Sequence, residues 1–151
     1  MVNIEFREST LEDIKILSKT MREPDRVEVL AMGMSPEKAL LESFNTSSIR
    51  LTFLFDGKVI CMFGIAPKSL LGDRAVLWCL TSDELERVKL LFGKKSKYYV
   101  GYFLTQYSIL DNWVDSRYKK SIKWLRWLGA DFDCITSVNE IDFYHFEIRR
   151  R

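Results

Sequence analysis

The residue types that most often carry chemistry are sparse in this chain. His145 is the only histidine, and it lies in the aromatic closing segment, so we interpret it as a strand residue that faces solvent or is hydrogen-bonded in the core. The cysteines Cys61, Cys79 and Cys134 are far apart in sequence. We expect buried, reduced thiols, with a disulfide or a zinc site as the alternatives. A single histidine without a Cys-x-x-Cys pair predicts no metal site.

The composition limits the class of protein. The chain has 151 residues, of which 47% are apolar, and this length predicts a single domain over residues 1–151 with its own core. A net charge of +2 does not favour a nucleic-acid partner. No apolar run predicts a membrane span, and the N-terminal segment lacks a signal-peptide core, so we expect a soluble intracellular protein. The aromatic residues are numerous enough for a thick core or a partner surface.

The segment from residue 112 to residue 132 has the clearest pattern. Ile122, Leu125 and Leu128 recur at helical spacing, which predicts an amphipathic helix from about residue 117 to residue 128. Gly129 follows the last periodic residue, where a helix end favours a left-handed glycine. The pattern therefore predicts a strand, a helix, a glycine stop and a return strand.

The remaining patterns predict alternating helices and strands. Asp56-Gly57 between two apolar runs predicts a tight hairpin. The continuously apolar run Ala75–Leu80 predicts a central strand, followed by helical sequence to about residue 108 with an interruption at Gly93. Further elements are a strand at residues 2–6, helical stretches that begin near residues 10, 25 and 36, and a closing hairpin at residues 132–136 and 141–148.

The helix that ends in Leu-Gly-Ala-Asp-Phe and turns directly into a strand resembles the last conserved block of the GNAT N-acetyltransferases. The predicted order β, α, α, β, β, β, α, β, α, β, β also resembles that family over nearly the whole chain. The resemblance implies an α/β fold of the α+β type, the acyl-CoA N-acyltransferase fold. We therefore expect a central, mixed but mostly antiparallel sheet flanked by helices.

A second resemblance covers roughly residues 74–148. The segment Trp-Cys-Leu-Thr-Ser-Asp, the Gly93-Lys94 step and the pattern from Asn112 to Phe132 resemble the internal virion protein A family of short-tailed podophages. This family implies a bacteriophage protein of virion assembly or the DNA-ejection apparatus. Its partners would be phage virion or ejection proteins, with a host protein as a further candidate. It would be located in the host cytoplasm during assembly or in the virion.

The GNAT resemblance also implies where acetyl-CoA would bind. The family holds the pyrophosphate with a glycine-rich loop after the fourth strand, because glycines let backbone amides approach the anion. Leu80, Thr81, Lys94 and Lys95 occupy the corresponding region. Phe92 and Lys94 stand where glycine or alanine is needed, so we expect no bound cofactor, and acetyl-CoA only if the protein is an enzyme.

The same resemblance identifies the candidate catalytic residues. The usual proton donor of the family corresponds to Leu125, which has no proton to donate. Tyr118 and Glu84 are the only candidates for an acid and a base, each with an ordinary structural role as the alternative. Trp124 and Trp127 flank the apolar stripe of the final helix, which makes them candidate partner-binding residues. We therefore expect a non-catalytic binding scaffold, with an acetyl-CoA-dependent N-acetyltransferase that modifies a host or phage protein as the alternative.

Overall fold

The computed structural model describes residues 3–151 and contains five helices and seven strands within that range. The helices are α1 (Leu11–Thr20), α2 (Glu23–Ala31), α3 (Pro36–Thr46), α4 (Leu85–Gln106) and α5 (Lys119–Trp127). The strands are β1 (Ile4–Glu8), β2 (Ile49–Phe55), β3 (Lys58–Pro67), β4 (Arg74–Thr81), β5 (Ile109–Asp115), β6 (Asp131–Val138) and β7 (Ile141–Arg149). Among residues 3–151, no helix combines the length and the apolar composition that crossing a bilayer requires.

The strands form a sheet in the order β1-β2-β3-β4-β5-β7-β6. β1 and β2, β2 and β3, β5 and β7, and β6 and β7 pair antiparallel, whereas β4 and β5 run parallel. This parallel pairing covers only residues 74–76 and 109–111, although both strands continue beyond it. The expected mixed, mostly antiparallel sheet flanked by helices is confirmed. The predicted strand at residues 2–6 begins at Ile4 in the structure, and residue 2 lies outside the described range.

The backbone clusters into two compact units. The first comprises the described residues of Met1–Ala66 together with Trp78–Lys89, and the second comprises Pro67–Leu77 and Leu90–Arg151. In the first unit, α1, α3, β3 and β4 bury a common apolar cluster that includes Leu17, Leu40 and Met62. In the second unit, Phe103 and Phe143 are fully buried.

Local sequence accounts for most of the element boundaries. Thr10 and Asp13 form a capping box at the start of α1, and Ser35 caps α3. Asp56 and Gly57 both have positive φ, as the predicted tight turn between β2 and β3 requires. The sequence patterns predicted three helical stretches before β2, although the predicted element order counted only two helices there, and the structure has three, α1, α2 and α3.

The end of α5 has the geometry that its sequence predicts. Gly129 has a φ of 102°. Its N–H donates to the carbonyl of Arg126 at 3.0 Å, and the N–H of Ala130 donates to the carbonyl of Leu125 at 3.0 Å. These two bonds form a Schellman motif, which satisfies carbonyls at the helix end and directs the chain into β6.

Candidate functional site

The last residue of β4 is the place where the sequence resemblance puts a cofactor. Thr81 is buried, and its N–H and hydroxyl both donate to Oδ2 of Asp25, at 2.7 and 3.1 Å. Its carbonyl accepts from the N–H of Arg22 at 2.9 Å. The polar groups of Thr81 are therefore bonded to Arg22, in the segment that joins α1 to α2, and to Asp25, in the first turn of α2.

This segment lies along one particular edge of β4. The N–H of Ser82 donates to the carbonyl of Ile60 on β3 at 2.9 Å. Amides of consecutive strand residues point to opposite edges, so Thr81 directs its N–H and carbonyl away from β3. An isolated antiparallel bridge between Met21 and Ser82 fixes the α1–α2 connection there.

A buried ion pair supports the same contact. The Nε atom of Arg22 lies 3.1 Å from Oδ1 of Asp25, whose side chain is only 6% exposed. Burial raises the pKa of the Asp25 carboxyl, although Arg22 and Thr81 act in the opposite direction. Asp25 contacts both Arg22 and Thr81, and Arg22 also donates to the carbonyl of Thr81. We refer to these three residues as the Asp25 cluster.

The segment expected to resemble a phosphate-binding loop is helical in the structure. Phe92, Gly93 and Lys94 all lie inside α4, and Phe92 is buried at 4% exposure. Backbone amides within a helix donate to carbonyls four residues earlier, so they are not available to an anion. The predicted interruption at Gly93 is wrong, because the non-helical backbone lies at Val88, with φ −126° and ψ 19°.

The start of α4 also differs from a phosphate site. The N–H groups of Leu85, Glu86 and Arg87 donate to carbonyls three residues earlier, so the first turn satisfies its own donors. Glu84, the candidate base, lies in an ion pair with Arg87 at 3.1 Å. The acidic side chains of this turn, which include Glu86, oppose the binding of an anion.

The candidate acid, Tyr118, lies directly before α5 and is half-buried. Its N–H donates to the carbonyl of Asp115 and its carbonyl accepts from Ile122, each at 3.1 Å. Leu125, at the family's proton-donor position, is a core residue at 6% exposure. The structure thus gives the backbone of Tyr118 a helix-start role.

Solved structures with the same fold were found, although no family model matches the chain and no curated protein matches it in sequence. An acetyltransferase of the GNAT family from Streptococcus pneumoniae is 14% identical, with a TM-score of 0.63 over 97% of this chain and 99% of that one. A spermidine N-acetyltransferase chimera from Vibrio cholerae and hSSAT is 13% identical, with a TM-score of 0.72 over 97% and 95%. The chain has the GNAT acetyltransferase fold.

A further structure of this fold is the ribosomal-protein-S18-alanine N-acetyltransferase from Escherichia coli. It is 14% identical, with a TM-score of 0.68 over 99% of this chain and 94% of that one. The GNAT fold that was expected from the glycine stop and the element order is therefore confirmed. Identities this low show the shared fold and leave the activity to the residues themselves.

The predicted partner-binding residues of this GNAT-fold chain lie on α5, beside the later part of α4. Trp127 is 49% exposed, and Nζ of Lys97 lies 4.5 Å from the centre of its ring. Trp124 is half-buried, and its Nε1 donates to Oγ of Ser96 at 3.3 Å. The structure therefore brings both tryptophans against α4, and Trp127 is the more accessible of the two.

The candidate phosphate ligands belong to a larger basic surface. Lys94 and Lys95 are exposed in the middle of α4. Between residues 90 and 106 and within α5 there is no Asp or Glu. We define the basic helix surface as these exposed residues: Lys94, Lys95, Lys97, Lys119, Lys120, Lys123, Arg126 and Trp127.

The prediction did not identify Arg22 and Asp25 as site residues. Both lie in a charged stretch around Pro24 that is typical of an exposed helix start, so the sequence carries no signal for the burial of Asp25. The cysteine prediction was correct in part. All three thiols are free, and Cys61 is buried, whereas Cys134 is exposed because β6 is the edge strand of the sheet.

Proposed function

We propose that this protein uses the GNAT fold as a binding scaffold and does not transfer acetyl groups. The observation that carries the proposal is the Asp25 cluster, in which the polar groups of Thr81 at the end of β4 are bonded within the chain. A cofactor that bound to this edge of β4 would have to displace a buried ion pair. The helical backbone of residues 92–94 supports the same conclusion, because its amides are already bonded.

The biological setting of the proposal comes from the resemblance to the internal virion protein A family. We place the protein in a bacteriophage, in the host cytoplasm during virion assembly and then in the particle or its DNA-ejection apparatus. Its partners are other virion or ejection proteins, with a host protein as the second candidate.

The basic helix surface is the proposed contact with these partners. Two helical segments that carry seven cationic side chains and contain no Asp or Glu in their sequence favour a partner with an acidic face. Trp127 adds an exposed aromatic anchor of the kind that contributes most to protein–protein affinity. Since Lys97 covers one face of the Trp127 ring, base stacking is less favourable there, and we propose an acidic protein partner over nucleic acid.

The alternative is an acetyl-CoA-dependent N-acetyltransferase, which the activities named for the structural neighbours favour. In that case Glu84 would act as the base and Tyr118 as the acid, with Leu80, Thr81, Lys94 and Lys95 against the cofactor. This function would require the α1–α2 connection to leave the edge of β4.

Calorimetric titration with acetyl-CoA tests the scaffold against the enzyme. We expect binding weaker than about 1 mM. Any residual binding should come from Lys94, Lys95 and Lys97, and should therefore decrease steeply with added salt and in a Lys94→Ala/Lys95→Ala variant. Micromolar affinity that persists at high salt would contradict the scaffold and support the acetyltransferase.

The partner surface is tested by capture of virion proteins from infected cells. Immobilised wild-type protein should retain a virion component, and Trp127→Ala and added salt should each reduce that retention. Leu30→Ala is the matched control, because Leu30 is similarly exposed but lies on α2. Retention that is equal in both variants, or retention of nucleic acid alone, would contradict the proposed surface. Loss of phage yield in folded Glu84→Gln or Tyr118→Phe protein would instead indicate catalysis.

A further inference from the structure

The hairpin of β6 and β7 carries three potential metal ligands that the proposed scaffold function does not use. A carboxylate oxygen of Asp133, the sulfur of Cys134 and a ring nitrogen of His145 all lie within 4.8 Å of one another. Asp133 and Cys134 are exposed, and His145 is half-buried. We propose that these three residues, the bulge cluster, form a binding site for Zn²⁺.

A β-bulge explains how consecutive residues come to share one face of the sheet. Phe132 pairs with Phe146 and Cys134 pairs with His145, so Asp133 is the extra residue on β6. Without the bulge, Asp133 and Cys134 would point to opposite faces. With it, Cys134 lies opposite His145, while Oδ1 of Asp133 lies 2.7 Å from Nδ1 of the same ring. The bulge therefore assembles a ligand set that periodicity alone does not predict.

Two carboxylates, one beside each ring nitrogen, orient the histidine for metal binding. Its Nε2 lies 3.4 Å from Oδ2 of the buried Asp111. That oxygen also accepts from Nζ of Lys68 and Nη1 of Arg74, each at 2.8 Å, so its position is well defined. In the tautomer that carries its proton on Nδ1, the ring donates to Oδ1 of Asp133 at 2.7 Å. In the tautomer that carries it on Nε2, directed at Asp111, the lone pair of Nδ1 faces Asp133, and a bound cation would take the place of the proton between them. The Asp111–His145 pair is the arrangement that fixes metal-bound histidines in other proteins.

The ligand types favour zinc over the abundant hard cations. Thiolate sulfur and imidazole nitrogen bind Zn²⁺ well, whereas Mg²⁺ and Ca²⁺ prefer oxygen ligands. Zinc–ligand distances of about 2.0–2.3 Å place tetrahedral ligand atoms about 3.3–3.7 Å apart. The ligand atoms lie within 4.8 Å of one another, and the exposed side chains of Asp133 and Cys134 can rotate to reach this spacing, which requires the 2.7 Å contact between Asp133 and His145 to lengthen. Three protein ligands leave a fourth position for water or for a side chain of a bound partner.

Titration of the reduced protein with Co²⁺ and Zn²⁺ tests the site. Co²⁺ should produce a thiolate-to-cobalt charge-transfer band in the near ultraviolet, and Zn²⁺ should abolish it by competition. Cys134→Ser should remove the band, and Asp133→Asn should weaken Zn²⁺ binding by at least about tenfold. Asp131→Asn is the matched control, because it removes an exposed carboxylate from the same strand and should leave Zn²⁺ affinity unchanged.

Two further measurements keep the test independent of variant folding and of the scaffold function. Thermal unfolding in a chelator identifies any variant that does not fold. In the wild-type protein, Zn²⁺ should protect Cys134 from alkylation, as read by mass spectrometry of its peptide, and the chelator should reverse this. Alkylation of Cys134 at an unchanged rate with saturating Zn²⁺, or a Co²⁺ spectrum that survives Cys134→Ser, would overturn the proposal. Neither result depends on whether acetyl-CoA or a virion protein binds.

Discussion

The end of β4 and the bulge on β6 differ in the burial of their polar side chains. At the end of β4, the Asp25 carboxylate is buried and accepts from the N–H and the hydroxyl of Thr81. On β6, Asp133 and Cys134 are exposed and lie near His145 on one face. In the first region, the N–H, the hydroxyl and the carbonyl of Thr81 are all bonded within the chain. In the second region, two exposed side chains place potential metal ligands beside His145.

This difference distinguishes polar residues that stabilise the fold from polar residues that can bind a ligand. The fold resemblance directs attention to β4, but the bonds of Thr81 within the chain leave few of its polar groups for a ligand. The hairpin of β6 and β7 has no assigned role in the resemblance, yet its ligand atoms are accessible. The position of a site in a fold family is therefore a weaker guide to function than the hydrogen-bonding state of the residues found there.

The strongest test of the first region is Asp25→Ala. The substitution leaves the Arg22 guanidinium without its buried partner and removes the acceptor of Thr81. We expect the free energy of unfolding to fall by about 3–5 kcal/mol, measured by urea denaturation. The control Asp83→Ala removes an exposed carboxylate near the same strand end and should change it by less than about 0.5 kcal/mol. Equal stability of the two variants would mean that the Asp25 cluster is not structural.

Asp13 is a second buried carboxylate of the same unit, and it makes the stability of the protein depend on pH. Oδ2 of Asp13 accepts from Arg7, Thr10 and Thr52 at 2.8–2.9 Å. Burial alone would raise the pKa of Asp13, but these donors outweigh it and lower the pKa below its ordinary 3.8. A lowered folded-state pKa gives stability that is complete above pH 3.8 and lost as the pH falls through the folded-state value.

We therefore expect Asp13→Asn to cost about 1.5–3 kcal/mol near neutral pH. The difference from the wild type should shrink as the pH falls below about 3.8, in urea titrations at a series of pH values. Glu12→Gln, at an exposed position of the same helix turn, should show no comparable loss. A cost that is constant from neutral to acid pH would show that the carboxylate charge of Asp13 does not contribute.

In the second unit, substitutions of Gly129 test the turn that leads from α5 into β6. The φ of Gly129, 102°, is poorly tolerated by a β-branched residue. Gly129→Val should lower the free energy of unfolding by more than about 1 kcal/mol in urea titrations, whereas Gly129→Asn should lose less, because asparagine tolerates the left-handed region. An unchanged midpoint for Gly129→Val would contradict the role of the Schellman motif.

Local signals in the sequence predict much of this fold. The helix caps at Thr10 and Ser35, the Asp56-Gly57 turn and the stop at Gly129 each follow from the conformational preference of one or two residues. The break in α4 is different. Glycine lowers helix stability but does not forbid a helix, so Gly93 is helical, and nothing in the sequence around Val88 predicts the irregular backbone there.

The candidate sites were less predictable because they depend on contacts between distant residues. Asp25 and Thr81 are 56 positions apart, and Asp133 and His145 meet only because a bulge shifts the register of β6. Periodicity describes which face a residue occupies in a regular strand, and a bulge changes that face without a composition signal. The exposure of Trp127 was predictable, since an amphipathic helix cannot bury every apolar side chain on a narrow face.

The smallest expected change in stability is that of Gly93→Ala. This substitution tests directly whether Gly93 has a structural or a cofactor-binding role in α4. Gly93 lies in helical backbone, and a Cβ atom added there would meet nothing within 4 Å. Gly101, in the same helix, has the same surroundings and is the matched control. Because alanine loses less backbone entropy than glycine in a helix, Gly93→Ala and Gly101→Ala should each stabilise the protein by about 0.5–1 kcal/mol.

A glycine that approaches a pyrophosphate behaves differently, since its replacement blocks the anion. If Gly93→Ala removed measurable acetyl-CoA binding while Gly101→Ala preserved it, α4 would be part of a cofactor site and the contrast between β4 and the hairpin would have to be abandoned.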